Sequence, residues 1–315
     1  MAESLIVEAA AKIFADTCNK TVLDAAERGE FPAAAWDALC ENGFHLLALP
    51  DSGAGLDDLY AVLRAAGNQA LPVPLAEALL ANRWVGHEGD DMLSIGLAAG
   101  GGDWTEAPWG RIAGRVLGVT PANELFVAHL AAVTQGANLA GEARDAVAVR
   151  DVEPVEVGEP VYAMLALSRI AASAGALERV LDLGLRYAGE REQFGRPIAR
   201  FQAIQHLLAM AAAEVAAAVR ATDAAVDAIG SERFELEVAA AKSRVGEAAG
   251  IVVEAVHQVH GAMGFTYEHE LHHFTRRLWA WREEFGGEVY WQTRLGERIA
   301  ALGADAVWDF VATSR

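Results

Sequence analysis

The chain has 315 residues, 53% of them hydrophobic, which is enough for a large core and for two or three domains. A formal charge of −19 excludes a nucleic-acid or anionic-membrane surface as the main partner, because both need a positive footprint. Two cysteines, Cys18 and Cys40, imply no disulfide framework, and no metal-ligand spacing links them.

The first residues, Met1-Ala-Glu-Ser-Leu-Ile-Val-Glu8, carry an acidic residue where a signal peptide would carry basic ones. No apolar run reads as long enough to span a bilayer, so a cytoplasmic protein is expected. Residues 1–88 read as helices. Leu5, Val7, Ala10, Ile13 and Phe14 form a rough helical stripe. Pro32 is expected in a first helical turn, with Trp36, Leu39 and Cys40 on the same face and Gly43 as the stop. Asp51-Ser-Gly-Ala-Gly55 is a loop by composition, and helices follow over Leu56 to Ala70 and Leu75 to Val85.

Residues 89–160 change character and read as a small β domain. The expected strands are Leu93–Leu97, Gly114–Val119, Glu124–Ala128 and Ala146–Val149, each between turn-forming residues. Residues 161–315 return to long helices over Val161 to Gly189, Phe201 to Ile229, Phe234 to His260 and Glu288 to Ala301, the elements of a four-helix bundle.

Two blocks carry candidate chemistry. The first is Tyr187-Ala-Gly-Glu-Arg-Glu-Gln-Phe-Gly-Arg-Pro-Ile-Ala-Arg-Phe-Gln202, at the junction of two helices. An arginine here can grip phosphate oxygens, aromatic rings can pack a flat ligand, and Gly195 and Pro197 break the helix. Spacing alone also allows Arg191 to pair with Glu190 or Glu192 on a solvated helix end, with Phe194 and Phe201 in the core. The second block is Gln258-Val-His-Gly-Ala-Met-Gly-Phe-Thr-Tyr-Glu-His-Glu-Leu-His272, where Gly261 and Gly264 are helix-stop candidates. His269 with His273, and His272 with Arg276, lie four apart. Without a metalloprotease glutamate this reads as a polar helix face or subunit contact, and no metal is expected.

Together the blocks resemble the two signatures of the acyl-CoA dehydrogenases, in order and at a fitting distance. The resemblance implies a mainly α fold with a small β domain: an N-terminal helical domain (1–88), a shortened middle β domain (89–160) and a C-terminal four-helix bundle (161–315). It implies FAD as cofactor, an acyl-CoA substrate and an electron-transfer flavoprotein as acceptor. Arg191 and Phe194 would reach the FAD of a neighbouring subunit, Gln193, Ile198 and Phe201 would line the same patch, and Gln258 and Gly261 would lie against its ADP half. Ala262 stands where the family has a second glycine. The family's two positions for a catalytic glutamate fall on Phe285 and near Leu165, with Met164 and Ala166 beside the latter, so neither holds a carboxylate. Glu284, one residue off, is the remaining candidate base, with Glu268 behind it. The stretch Gly101-Gly-Asp-Trp-Thr-Glu-Ala-Pro-Trp109 lacks the family's Gly-Ser-Asp. This pattern resembles the short subunit of actinobacterial heterotetrameric (α2β2) dehydrogenases that act on steroid side chains. The expected partner is then a longer homologous subunit carrying the base. A self-sufficient homotetramer and a flavin-free helical scaffold are the alternatives.

Overall fold

A computed structural model describes residues 5–98, 102–303 and 305–308. The helices α1 (Leu5–Thr17), α2 (Lys20–Ala26), α3 (Ala33–Glu41), α4 (Leu56–Asn68) and α5 (Leu75–Val85) come first. Asn19 caps α2, its side chain accepting from the Val22 amide at 3.2 Å. Pro32 and Pro74 stand at the N-cap positions of α3 and α5. Pro32 is therefore one residue outside the helical turn expected for it.

Five strands follow: β1 (Leu93–Ala98), β2 (Asp103–Ala107), β3 (Arg115–Val119), β4 (Leu125–Thr134) and β5 (Asp145–Pro154). They close into a barrel in the order β1-β2-β5-β4-β3, with β1 and β3 parallel and the other pairs antiparallel. The sequence offered no strand over β2. The reason is its register: Asp103, Thr105 and Glu106 face out, and a bulge between Trp104 and Ala107 breaks the alternation.

The second helical part holds α6 (Val161–Glu190), a short hairpin of β6 (Glu192–Gln193) and β7 (Arg196–Pro197), then α7 (Gln202–Asp227), α8 (Phe234–His260), α9 (Leu271–Glu283) and α10 (Glu288–Leu302). The first seven residues of α6 are all buried, so this helix runs through the middle of the molecule, against α4, α7, α8 and α9. Its crossing with α4 is close because each helix offers a glycine. A Cβ on Gly67 would stand 1.9 Å from the Ala172 carbonyl oxygen, and one on Gly175 would stand 1.9 Å from that of Arg64. The crossing is pinned by Arg64 Nε donating to Glu178 at 2.9 Å and by Tyr60 Oη donating to the Met164 carbonyl at 3.0 Å.

One expectation needs correcting. By length and mean hydropathy, α7 does qualify as a membrane-spanning run. Eleven alanines contribute to that hydropathy beside Ile204, Leu207, Leu208 and three valines, and the helix packs along α8 and α6 in the bundle. Its outward face, including Ala209, Met210, Ala213 and Ala217, is exposed.

Candidate functional site

The first block forms the β6–β7 hairpin at the end of α6. Its turn residues Phe194 and Gly195 both have positive φ, 52° and 76°. Two-residue hairpins of this kind favour Asn-Gly, because the first position is strained for a residue with a bulky side chain. Phe194 takes that place and stands 92% exposed at the tip. Its ring meets Phe201 edge-on at 6.1 Å, and the Arg196 guanidinium lies 4.4 Å from the centre of the Phe201 ring. Arg191 is exposed, and among the described residues it makes no ion pair with Glu190, Glu192 or any other carboxylate. Gln193 is exposed as well, its amide donating to the Glu192 carbonyl at 2.8 Å.

The second block ends α8. Gln258 is exposed on its last turn. Gly261 follows with φ 59° and ψ −141°. A Cβ there would touch nothing within 4 Å, so the glycine is required by the backbone conformation rather than by space. Met263, Phe265 and Tyr267 then project from the chain, the last two each 74% exposed. Sequence reasoning quoted Phe265 and Tyr267 within a motif but gave them no role; an aromatic at a helix stop has no periodicity to mark it.

The fold brings the two blocks together. Ala188, Ile198, Leu208 and Val259 form one small apolar cluster, so the end of α6, the start of α7 and the end of α8 meet. Tyr187 stacks on His260 with ring centroids 4.4 Å apart, and His269 meets His260 at 4.7 Å. Burial holds His260 and His269 below the ordinary imidazole value, leaving these rings neutral. Arg191, Arg196 and Arg200 stand with Glu190 and Glu192 on the first block and with Glu268 and Glu270 on the second, so this end is aromatic and of mixed charge.

Glu284 lies elsewhere, in the interior between the barrel and the helices. Its Oε1 accepts from Asn138 at 3.0 Å and from Arg144 Nε at 2.9 Å. Its Oε2 accepts from Arg144 Nη2 at 3.1 Å and from Arg169 Nε at 2.5 Å. Arg169 also binds Glu77 of α5. The chain of charges continues from Arg144 to Glu142, then to Arg277, Glu27, His273 and Asp24. Burial would raise the Glu284 carboxyl, but Arg144 and Arg169 overcome it and hold the group at about 2. Lys242 donates to the Trp281 and Glu284 carbonyls at 2.7 and 2.9 Å, and burial pushes it down to about 7. A cavity of about 60 Å³ adjoins this network, lined in part by Trp109, Arg144, Arg169 and Arg277. Phe285 is buried with φ 54°, and Leu165 is fully buried.

The acyl-CoA dehydrogenase C-terminal domain family matches residues 162–288. FadE34 of Mycobacterium tuberculosis is 31% identical over 291 residues, covering 80% of this chain and 40% of that protein. IpdE2 of the same organism is 30% identical, covering 80% of this chain and 82% of IpdE2. The chain belongs to the acyl-CoA dehydrogenase family. It spans less than half of FadE34 but most of IpdE2. Among solved structures, a chain of the ChsE4-ChsE5 complex from M. tuberculosis superposes with a TM-score of 0.84 at 22% identity, over 94% of this chain and 96% of that one. The acyl-CoA dehydrogenase fold, helical then β then helical, is thereby established.

FAD is the cofactor this family implies, and the aromatic end where the two blocks meet has the groups to suit it. Arg191 offers a guanidinium not engaged by a carboxylate, Gln193 and Gln258 offer exposed amides, Phe194 offers an aromatic face, and Gly261 leaves the backbone open. An anionic pyrophosphate joined to flat rings matches that set of donors and faces.

Proposed function

We propose that the chain is one subunit of an FAD-dependent acyl-CoA dehydrogenase, completing the flavin site of a longer homologous subunit that carries the catalytic base. The observation that carries this reading is Phe194. A large apolar ring held in a strained turn position and left 92% exposed is stable in water only at a cost, and strain of this kind gathers at functional sites. Arg191 would neutralise the pyrophosphate, Phe194 and Phe201 would pack against the flat groups with Gln193 lining the same patch, and Gln258 and Gly261 would border the ADP half. FAD, when bound, supplies the hydride acceptor for α,β-dehydrogenation of an acyl-CoA.

The interior supports placing the base on the partner. A cavity of about 60 Å³ is far below the roughly 300–1,000 Å³ of ordinary ligand sites. A general base works best with a pKa near the operating pH, and Glu284, at about 2 and accepting four hydrogen bonds, is unsuited to take a proton. The exposed apolar face of α7 supports assembly with another chain. An α2β2 tetramer, a bulky acyl-CoA such as a steroid side-chain thioester, and an electron-transfer flavoprotein as acceptor complete the reading.

Two experiments test it. The chain purified alone is expected to be colourless, and to become yellow and active only when co-expressed with the longer homologue. A yellow homotetramer reduced by acyl-CoA would instead establish the self-sufficient enzyme. Phe194→Asn is expected to stabilise the isolated chain by about 1 kcal/mol in urea unfolding by relieving the turn. The same variant is expected to lower FAD retention by the complex in gel filtration. Unchanged retention would remove Phe194 from the flavin site.

A further inference from the structure

Cys40, His45 and Asp90 come from three places in the N-terminal helical part. Cys40 lies at the end of α3, His45 in the single turn that follows, and Asp90 in the loop between α5 and β1. Gly43, with φ 73°, reverses the chain so that His45 folds back toward α3. The buried Asn82 of α5 fixes that turn by donating to the His45 carbonyl at 2.9 Å. One donor atom of each residue then lies within 4.8 Å of the other two, and His45 Nε2 stands 3.3 Å from an Asp90 carboxylate oxygen.

The His45 ring is 3% exposed, yet neither of its nitrogens is satisfied by a hydrogen bond. The Asp90 carboxylate stands 3.3 Å from Nε2 without a well-directed hydrogen bond, so imidazole, thiol and carboxylate form one compact set of donors. The surrounding field is negative. Asp37, Glu41, Glu88, Asp90 and Asp91 lie within the segments 37–45 and 86–91, which contain no lysine or arginine.

We propose that Cys40, His45 and Asp90 bind a divalent transition-metal cation of the zinc class, with a solvent-open fourth position. Thiolate, imidazole and carboxylate are the donor types such ions take, and magnesium or calcium would prefer oxygen alone. Tetrahedral ligand atoms stand roughly 3.3–3.7 Å apart, given metal–ligand bonds of about 2.0–2.3 Å. The three donor atoms lie within 4.8 Å of one another, so at most about 1 Å of adjustment separates them from that geometry, and Asp90, 86% exposed on a loop, is free to adjust. The thiol releases its proton to solvent on binding. The second cluster of this type, Asp24 with His272 and His273, differs. Lys20, Arg276 and Arg277 surround it, and His273 already faces Glu27 at 2.7 Å and Asp24 at 3.2 Å. The three cationic side chains beside it disfavour a further cation.

Cobalt(II) is the probe, because a bound thiolate gives a near-ultraviolet charge-transfer band and a tetrahedral site gives intense visible bands. The full chain is expected to take up one equivalent with both features, and zinc should displace it. Cys40→Ser should abolish the charge-transfer band, and Cys18→Ser should leave it. Asp90→Asn, at an exposed position that the fold tolerates, should weaken binding about tenfold or more. No cobalt uptake, a band that persists in Cys40→Ser, or an affinity unchanged in Asp90→Asn would each overturn the site.

Discussion

Replacing Arg169 by methionine is expected to lower folding stability by about 3–5 kcal/mol, the usual consequence of removing one partner from a buried ion pair. Arg169 binds Glu77 and Glu284, from two different elements, and all three are buried. Methionine fills most of the volume but leaves Glu77 without its counter-ion and Glu284 with Arg144 as its remaining guanidinium. Urea unfolding of the wild type and the variant measures the difference. Its pH dependence is a separate check. Glu284 is held at about 2 in the fold, below the roughly 4.3 of an unfolded glutamate. Its stabilising contribution is therefore full above about 4.3 and fades as pH falls toward 2. Glu27 behaves in the same sense: burial opposes ionisation, but His273 and Arg277 hold it at about 2. In Arg169→Met the Glu284 carboxyl rises toward its ordinary value, so the loss should be large at pH 7 and shrink near pH 3. A loss that stays constant with pH would mean that packing, and not charge, dominates at this position.

Arg191→Ala is expected to weaken FAD binding by the assembled enzyme by about 1.5–3 kcal/mol, the range for a hydrogen bond to a charged group. That is about tenfold to a hundredfold in the dissociation constant. Arg191 is exposed and makes no ion pair among the described residues, so its removal should leave thermal unfolding of the isolated subunit unchanged. Arg191→Lys keeps the charge but not the planar fork, and should recover part of the affinity. Flavin fluorescence on dilution reads the constant. Full affinity in Arg191→Ala would favour a helical scaffold that kept the fold without the cofactor role.

Much of the molecule was legible along the chain. The long helices α6, α7 and α8 announce themselves by apolar periodicity, and the Arg191 and Gln258 blocks by residue type at helix ends. Helix α9 was not delimited by that route. Its buried positions include Arg277, His273 and Thr275, polar residues that pair inside the protein and so erase the apolar stripe. Glu284 stood out as the carboxylate nearest an expected catalytic position, yet its partners Asn138, Arg144 and Arg169 lie 115 to 146 positions away along the chain. Nothing in its local spacing reveals those partners.

By itself the sequence determined the order of helical and β parts, the family, and the residue types gathered in the Arg191 and Gln258 blocks, because periodicity and short motifs are local properties of a chain. The tertiary structure alone decided that the two blocks meet, that Glu284 is saturated by arginines, and that Cys40, His45 and Asp90 converge. Each depends on contacts between segments far apart in sequence, whose geometry is set by packing and not by neighbouring residues.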